Sequence, residues 1–146
     1  MGLPTVERVA RLRDVDLFAS TPDRVLAGLA AVVEEVDYAD GAVLIEAGAV
    51  EDWLFVVVSG EVQVTRADRT VRLGPGSVVG ELAVLDPQPR SATVTALGQV
   101  QVFRLSRAAF DDVVHTRPEL ATGVITELVR RLRESHRPPG ASSAMP

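Results

Sequence analysis

The chain has 146 residues, 47% of them hydrophobic, a formal net charge of -5 and no cysteine. That length suits one domain with a single core, the composition is that of a globular protein, and the lack of cysteine excludes a disulfide framework. The acidic balance argues against a large nucleic-acid footprint, and no apolar run approaches the roughly 18 residues that a membrane-spanning helix needs.

The N-terminal segment MGLPTVERVARLRD is charged early and lacks an uninterrupted apolar core, so no signal peptide is expected. Together with the absence of cysteine this points to the cytoplasm. Val6, Val9, Ala10 and Leu12 recur at helical spacing between charged residues and predict a short amphipathic helix from Pro4 to Leu12. Leu17-Phe18 should anchor the connection to a second helix. Ser20-Thr21-Pro22-Asp23 supplies a capping hydroxyl, a proline and an early acid for that helix, expected from Pro22 to Val33 with Val25, Leu26, Leu29 and Val33 facing inward.

From Glu34 to Leu105 the pattern changes to short β-branched runs. They are broken by Asp40-Gly41, Gly48, Ser59-Gly60, Asp68 and Gly74 to Gly76, which predicts seven or eight short antiparallel strands. Val62 and Val64 alternate with Gln63 and Thr65 as a half-buried strand should, and this spacing marks a jelly roll or sandwich.

Within this region, Leu73 to Ala96 carries the chemistry. Pro75 presets φ at one central position of a turn, and Gly76 supplies the positive φ that a type II turn needs next. Val78-Val79 reads as a short buried strand. Gly80-Glu81 then opens about one helical turn, Leu82 to Leu85, which Pro87 and Pro89 must end. The first amides of such a turn lack partners and can face an anion, with Gly80 allowing close approach. Arg90, introduced by Pro89, offers a bidentate guanidinium suited to a phosphate.

Ser106 reads as the N-cap of a helix to about His115, with Phe110, Val113 and Val114 inward. Pro118-Glu119 opens a longer helix whose Leu120, Val124, Leu128 and Leu132 form a broad apolar stripe beside Ala121, Ile125 and Val129. Arg130, Arg131 and Arg133 occupy its last turns, where cations complement the helix dipole. The stripe is wider than one packing contact requires, so a homodimer through this helix is expected. The segment 137–146 is rich in proline and small residues and is expected to be a disordered tail.

Gly80-Glu81-Leu82-Ala83, followed after a short proline-containing spacer by Arg90-Ser91-Ala92-Thr93-Val94, resembles the phosphate-binding cassette of the cyclic nucleotide-binding domain family. Bacterial catabolite activator proteins and cyclic-nucleotide-dependent kinase regulatory subunits share that cassette. Gly41, Gly48, Ser59-Gly60 and the Leu73 to Gly76 turn fall where the family places its strand connections, so the resemblance runs from about Leu17 to Arg133.

It implies a mainly β fold with flanking helices, a double-stranded β-helix or jelly-roll barrel with N-terminal helices and two C-terminal helices. One domain would then cover residues 1–136: helix and barrel over 17–105 with the cassette at 80–92, and the C-terminal helices over 106–136. The resemblance further implies a ligand, cAMP ahead of cGMP, and no catalysis, metal or other cofactor. Glu81 would hold the ribose, Arg90, Ser91 and the amides of Leu82 and Ala83 the cyclic phosphate, and strand residues near Val71 the base. Ser91 in place of threonine leans towards cAMP. In catabolite activators a hydroxyl pair after an Arg-Arg-Leu reads adenine, and here only Ser135 matches that pattern. No helix-turn-helix segment follows the long helix, so DNA binding by this chain alone is not expected, and output would pass to a partner or another domain.

Other readings compete. Glu81 could be an acid suited to a first helical turn and paired with Arg90 across an empty loop. Against this, a carboxylate beside an anion site is unfavourable unless it accepts a hydrogen bond, which a ribose 2′-hydroxyl would give. Asp111, Asp112 and His115 fit a solvated helix face. A cupin-type enzyme would need clustered histidines around a metal, whereas His115 and His136 both lie beyond the strands. The stronger rival is an interaction module of the same fold that has lost its ligand and only dimerises.

Overall fold

The computed structural model describes residues 2–136; the expected tail over 137–146 lies outside them. Helices α1 (Thr5–Arg13) and α2 (Asp23–Ala30) precede six strands, and α3 (Arg107–Thr116) and α4 (Glu119–Ser135) follow. The strands are β1 (Glu34–Tyr38), β2 (Val43–Ile45), β3 (Trp53–Arg66), β4 (Arg69–Leu73), β5 (Val78–Val79) and β6 (Thr93–Ser106). They pair antiparallel along the path β1-β6-β3-β4, with β2 also on β6 and β5 also on β3. The sheet is not closed, and the fold is the mainly β jelly roll with flanking helices that the sequence implied.

The strand count is lower than expected because Ser59-Gly60 does not separate two strands. It lies inside β3, where the register against β6 shifts between Val57 and Glu61. Such a bulge bends a continuous strand rather than ending it, so one long ribbon serves both halves of the roll.

The burial pattern shows what the ribbon does. In β3, Leu54, Val56 and Val58 face a cluster with α1, α2, α3 and α4, whereas Phe55 and Val57 face a second cluster inside the roll. Alternate residues leave a strand on opposite faces, so a run that is apolar throughout marks a strand buried on both sides. Phe103 and Leu105 of β6 join the helical cluster, and Val100 and Val102 the interior one.

Helix α2 is shorter than the expected Pro22 to Val33. The amides of Val32 and Val33 both donate to Leu29 O, at 3.0 and 3.1 Å, and this turn delivers Glu34 to its position opposite Arg104 in the sheet. The expected hydroxyl cap is also absent: Pro22 is the N-cap and no side chain bonds there. Ser20 is engaged elsewhere, its Oγ donating to the buried carboxylate of Glu127 on α4. Thr21 is buried against α4, where a Cβ at Gly123 would collide with its Oγ1. By contrast, Ser106 caps α3 as expected, accepting from Ala109 N at 3.1 Å.

Along α4 the apolar stripe divides. Leu120 and Val124 are buried in the helical cluster and Leu128 packs partly against it, while Ile125, Val129 and Leu132 are exposed by 59%, 40% and 57%. Among the described residues no helix is long and apolar enough to cross a membrane.

Candidate functional site

The expected turn forms: Ser77 N donates to Gly74 O at 3.1 Å and Gly76 has φ +89°. Gly76 N and Ser77 O bond back to Val57 of β3, which fixes the turn and leads into β5. After β5, Glu81–Val84 forms a single 3₁₀ turn.

Arg90 is held at both ends. Its backbone bonds Ala49 O and Gly48 N at 2.8 Å, and beside it Val50 bridges Pro89. Its guanidinium runs past Gly80, where Nη2 donates to Trp53 O. Gly80 is required twice over: its φ is +75°, and a Cβ would collide with Arg90 Nη1. The sequence assigns the glycine to ligand approach; in the structure it lines a cavity and also leaves room for the arginine.

The electrostatics of Arg90 are unusual for a cation. Its Nε is buried and, among the described residues, has no hydrogen-bond partner. Burial lowers the pKa of the guanidinium, opposed by the negative charges of Glu51 and Asp52. A partly desolvated cation on a cavity wall is stabilised by an anion beside it.

Arg90 opens on a cavity of about 500 Å³ whose walls include Gly80, Ser91, Val71, Val78 and Val79. Four of the expected residues, Val71, Gly80, Arg90 and Ser91, therefore meet on one cavity. The other four stand elsewhere. Glu81 does not pair with Arg90; its Oε1 accepts from Arg131 Nη2 of α4 at 2.7 Å. Leu82 is 51% exposed, and Ala83 is buried with its amide donating to Gly80 O at 3.0 Å. Ser135 sits at the end of α4, its hydroxyl donating to Leu132 O at 2.9 Å. His115 Nδ1 lies 2.8 Å from Asp111 O, within its own helix.

Two features escaped the sequence reading. Arg66 and Arg69 of the β3–β4 hairpin also line the cavity, and Arg66 Nη2 donates to Ser91 Oγ at 3.1 Å. The strand alternation that puts Val64 inward carries on to Arg66, so the signal was present. Arg131 suits a helix end as a cation, and nothing local marks it as the partner of a residue 50 positions away.

Known proteins resemble this chain in sequence and fold. A match to the family described as Cyclic nucleotide-binding domain covers residues 35–117. A CRP-like cAMP-activated global transcriptional regulator from Mycobacterium tuberculosis is 28% identical over 126 residues, 82% of this chain and 56% of the relative. A cAMP-dependent protein kinase regulatory subunit from Dictyostelium discoideum is 31% identical over 150 residues, 93% of this chain and 42% of the relative. The chain thus spans about half the length of these relatives. Among solved structures, the N-terminal domain of a transcriptional regulator from Streptomyces coelicolor superposes with a TM-score of 0.79 at 37% identity, covering 86% of this chain and 94% of that one. With a family match over more than half its length, the chain belongs to the cyclic nucleotide-binding domain family.

Proposed function

We propose that this domain is a sensor that binds cAMP in preference to cGMP in the Arg90 cavity and transmits binding through α3 and α4 to a partner protein or a further domain. The observation that carries the reading is the Arg90 guanidinium, partly desolvated and beside the Ser91 hydroxyl on an open cavity that no carboxylate among the described residues lines. That chemistry fits a phosphate monoanion. Relatives named as cAMP-activated and cAMP-dependent support the choice of nucleotide.

In this reading Arg90 and Ser91 hold the cyclic phosphate, aided by the amide of Leu82 and by that of Ala83 once it leaves Gly80 O. Val71 lies against the base, Glu81 accepts the ribose hydroxyl, and Ser135 reaches the adenine edge when the end of α4 moves in. The domain binds its ligand without chemical change to it. The exposed Ile125, Val129 and Leu132 favour pairing of α4 with a second copy.

Calorimetric titration with cAMP, cGMP and 2′-deoxy-cAMP tests the reading. The expected order is cAMP tightest, with the 2′-deoxy analogue weakened by loss of the Glu81 contact. Equal binding of cAMP and its 2′-deoxy analogue would remove the ribose role of Glu81. Binding of none of the three would leave a domain that only dimerises.

A further inference from the structure

The hairpin of β3 and β4 brings to the cavity two arginines that the functional reading leaves unused. Val64 and Arg66 on β3, and Arg69 and Val71 on β4, all line it. Arg66 lies directly opposite Arg69 in the strand register, a like-charge pair that disfavours the hairpin. Among the described residues neither has an ion-pair partner, and no carboxylate lines the cavity. With Arg90, which Glu51 and Asp52 influence from outside the lining, three guanidinium groups therefore share one space lined by no carboxylate. The placement of Arg66 is also specific: its Nη2 donates to Ser91 Oγ at 3.1 Å, and Ser91 is the chain neighbour of Arg90.

We propose that Arg66 is a second phosphate-binding residue of this site, reaching the ligand's phosphate from the hairpin while Arg90 reaches it from the cassette. The proposal rests on the reading of the cavity as a cyclic-nucleotide site and adds a residue to it. A phosphate accepting from Ser91 Oγ comes within reach of a guanidinium that already bonds that oxygen, because a hydroxyl both accepts and donates. Each phosphate oxygen has several lone-pair sites, so two guanidinium forks can be served at once. Arg69, opposite Arg66, strengthens the positive field at the mouth and thereby the attraction of an anion. A bound anion also relieves the repulsion between the two hairpin arginines. Binding should then order the hairpin as well as the cassette.

The competing account is that Arg66 reads the base. A guanidinium fork bonds the O6 and N7 acceptors of guanine but meets a donor at N6 of adenine. Contact with the base would therefore shift the ratio of cGMP to cAMP, whereas contact with the phosphate, common to both, would not.

The experiment titrates the full chain, as wild type, Arg66→Gln, Arg66→Lys, Ser91→Ala and the double variant Arg66→Gln/Ser91→Ala, with cAMP and with cGMP at two salt concentrations. Arg66→Gln should weaken both nucleotides by the same factor, about 10-fold, and Arg66→Lys should recover part of the loss. The factor should shrink at high salt, because the contact is exposed to screening. The losses in the double variant should be smaller than the product of the single losses, since both groups act on one phosphate. Thermal melting without nucleotide should not fall in Arg66→Gln, because the substitution removes a like-charge pair, and this separates a binding role from a structural one. A wild type that binds while Arg66→Gln binds equally well overturns the proposal and leaves the functional reading standing. A change in one nucleotide alone overturns it in favour of base contact. A wild type that binds neither nucleotide overturns the functional reading and the proposal together.

Discussion

Arg131 of α4 donates from Nη2 to Glu81 Oε1 of the cassette at 2.7 Å. The two side chains are 35% and 26% exposed, so their pairing contributes little to stability, within about 1 kcal/mol. Its consequence is geometric. The carboxylate that the ribose would use is already fastened to the helix that the proposed signal must move, so a ligand at Glu81 acts on α4 through one shared group. A double-mutant cycle on Glu81→Ala and Arg131→Ala, read by denaturant unfolding without nucleotide, should give a coupling of about 0.5 to 1 kcal/mol. A coupling of zero would mean that the pair does not form in solution.

The same contact bears on movement. A ligand shifts a conformational equilibrium only by binding one state better than the other, and Glu81 provides that difference if its bond to Arg131 changes on binding. Leu85 packs against the helical cluster that contains Leu120, so the cassette and α4 share one core. Amide hydrogen exchange over residues 106–134 should slow when cAMP is added. Unchanged protection under saturating cAMP, with binding confirmed, would count against α3 and α4 as the moving parts.

Much of the local structure was legible because it rests on short-range rules. The Pro75-Gly76 turn, the Ser106 cap and the Val78-Val79 strand each need only their own few residues. Long-range pairing was not legible in this way. Ser20 looks like a cap by position, yet its hydroxyl goes to Glu127, 107 positions on, because α4 lies across that loop. Glu81 looks like a partner for Arg90 and instead meets Arg131. Ser59-Gly60 reads as a strand break, since a bulge and a turn call for the same residues, and only the register against β6 separates them.

The division of the α4 stripe sharpens the expectation of a dimer. Leu128 packs partly against the core, so a charge there would unfold as well as dissociate. Ile125, Val129 and Leu132 share one outward face at spacings of four and three. The double variant Ile125→Glu/Leu132→Glu should be a folded monomer in sedimentation and the wild type should be a dimer. A wild type that is monomeric at high micromolar concentration would remove the dimer.

The N-terminal helix supplies a pH dependence. Glu35 on β1 has a lowered pKa, first through the Leu3 amide donating to its carboxylate and then through Arg8, with burial opposing. A folded pKa below the unfolded one gives stability that is complete above the unfolded value, near 4.5, and is lost as pH falls through the folded value. Glu35→Gln should therefore lower the melting temperature at pH 7 and flatten the loss below about pH 4.5. Parallel acid limbs for variant and wild type would show that Glu35 is not tied down.

Arg90 and Gly80 form a unit, and their substitution separates the binding role from the structural one. Arg90→Ala removes the guanidinium from the cavity and should weaken cAMP, cGMP and 2′-deoxy-cAMP alike, by about 2 to 5 kcal/mol, because the phosphate charge loses its main partner. Glu81→Ala should weaken cAMP less, by roughly 1.5 to 3 kcal/mol at most, since it also removes repulsion from the phosphate. Its mark is that cAMP and the 2′-deoxy analogue become nearly equal. Gly80→Ala behaves differently from both. Its methyl group collides with Arg90 Nη1 and its backbone must keep φ +75°, so stability should fall by about 1 to 2 kcal/mol for the φ strain alone, and binding should fall with it. In the double variant Gly80→Ala/Arg90→Ala the collision with the guanidinium is gone, and the strain and a 3.2 Å contact with Trp53 O remain. The stability lost through Gly80→Ala should then be smaller in the Arg90→Ala background than in the wild-type background, while binding stays as weak as in Arg90→Ala. Equal losses in both backgrounds, by denaturant titration, would show that Arg90 does not rest against Gly80.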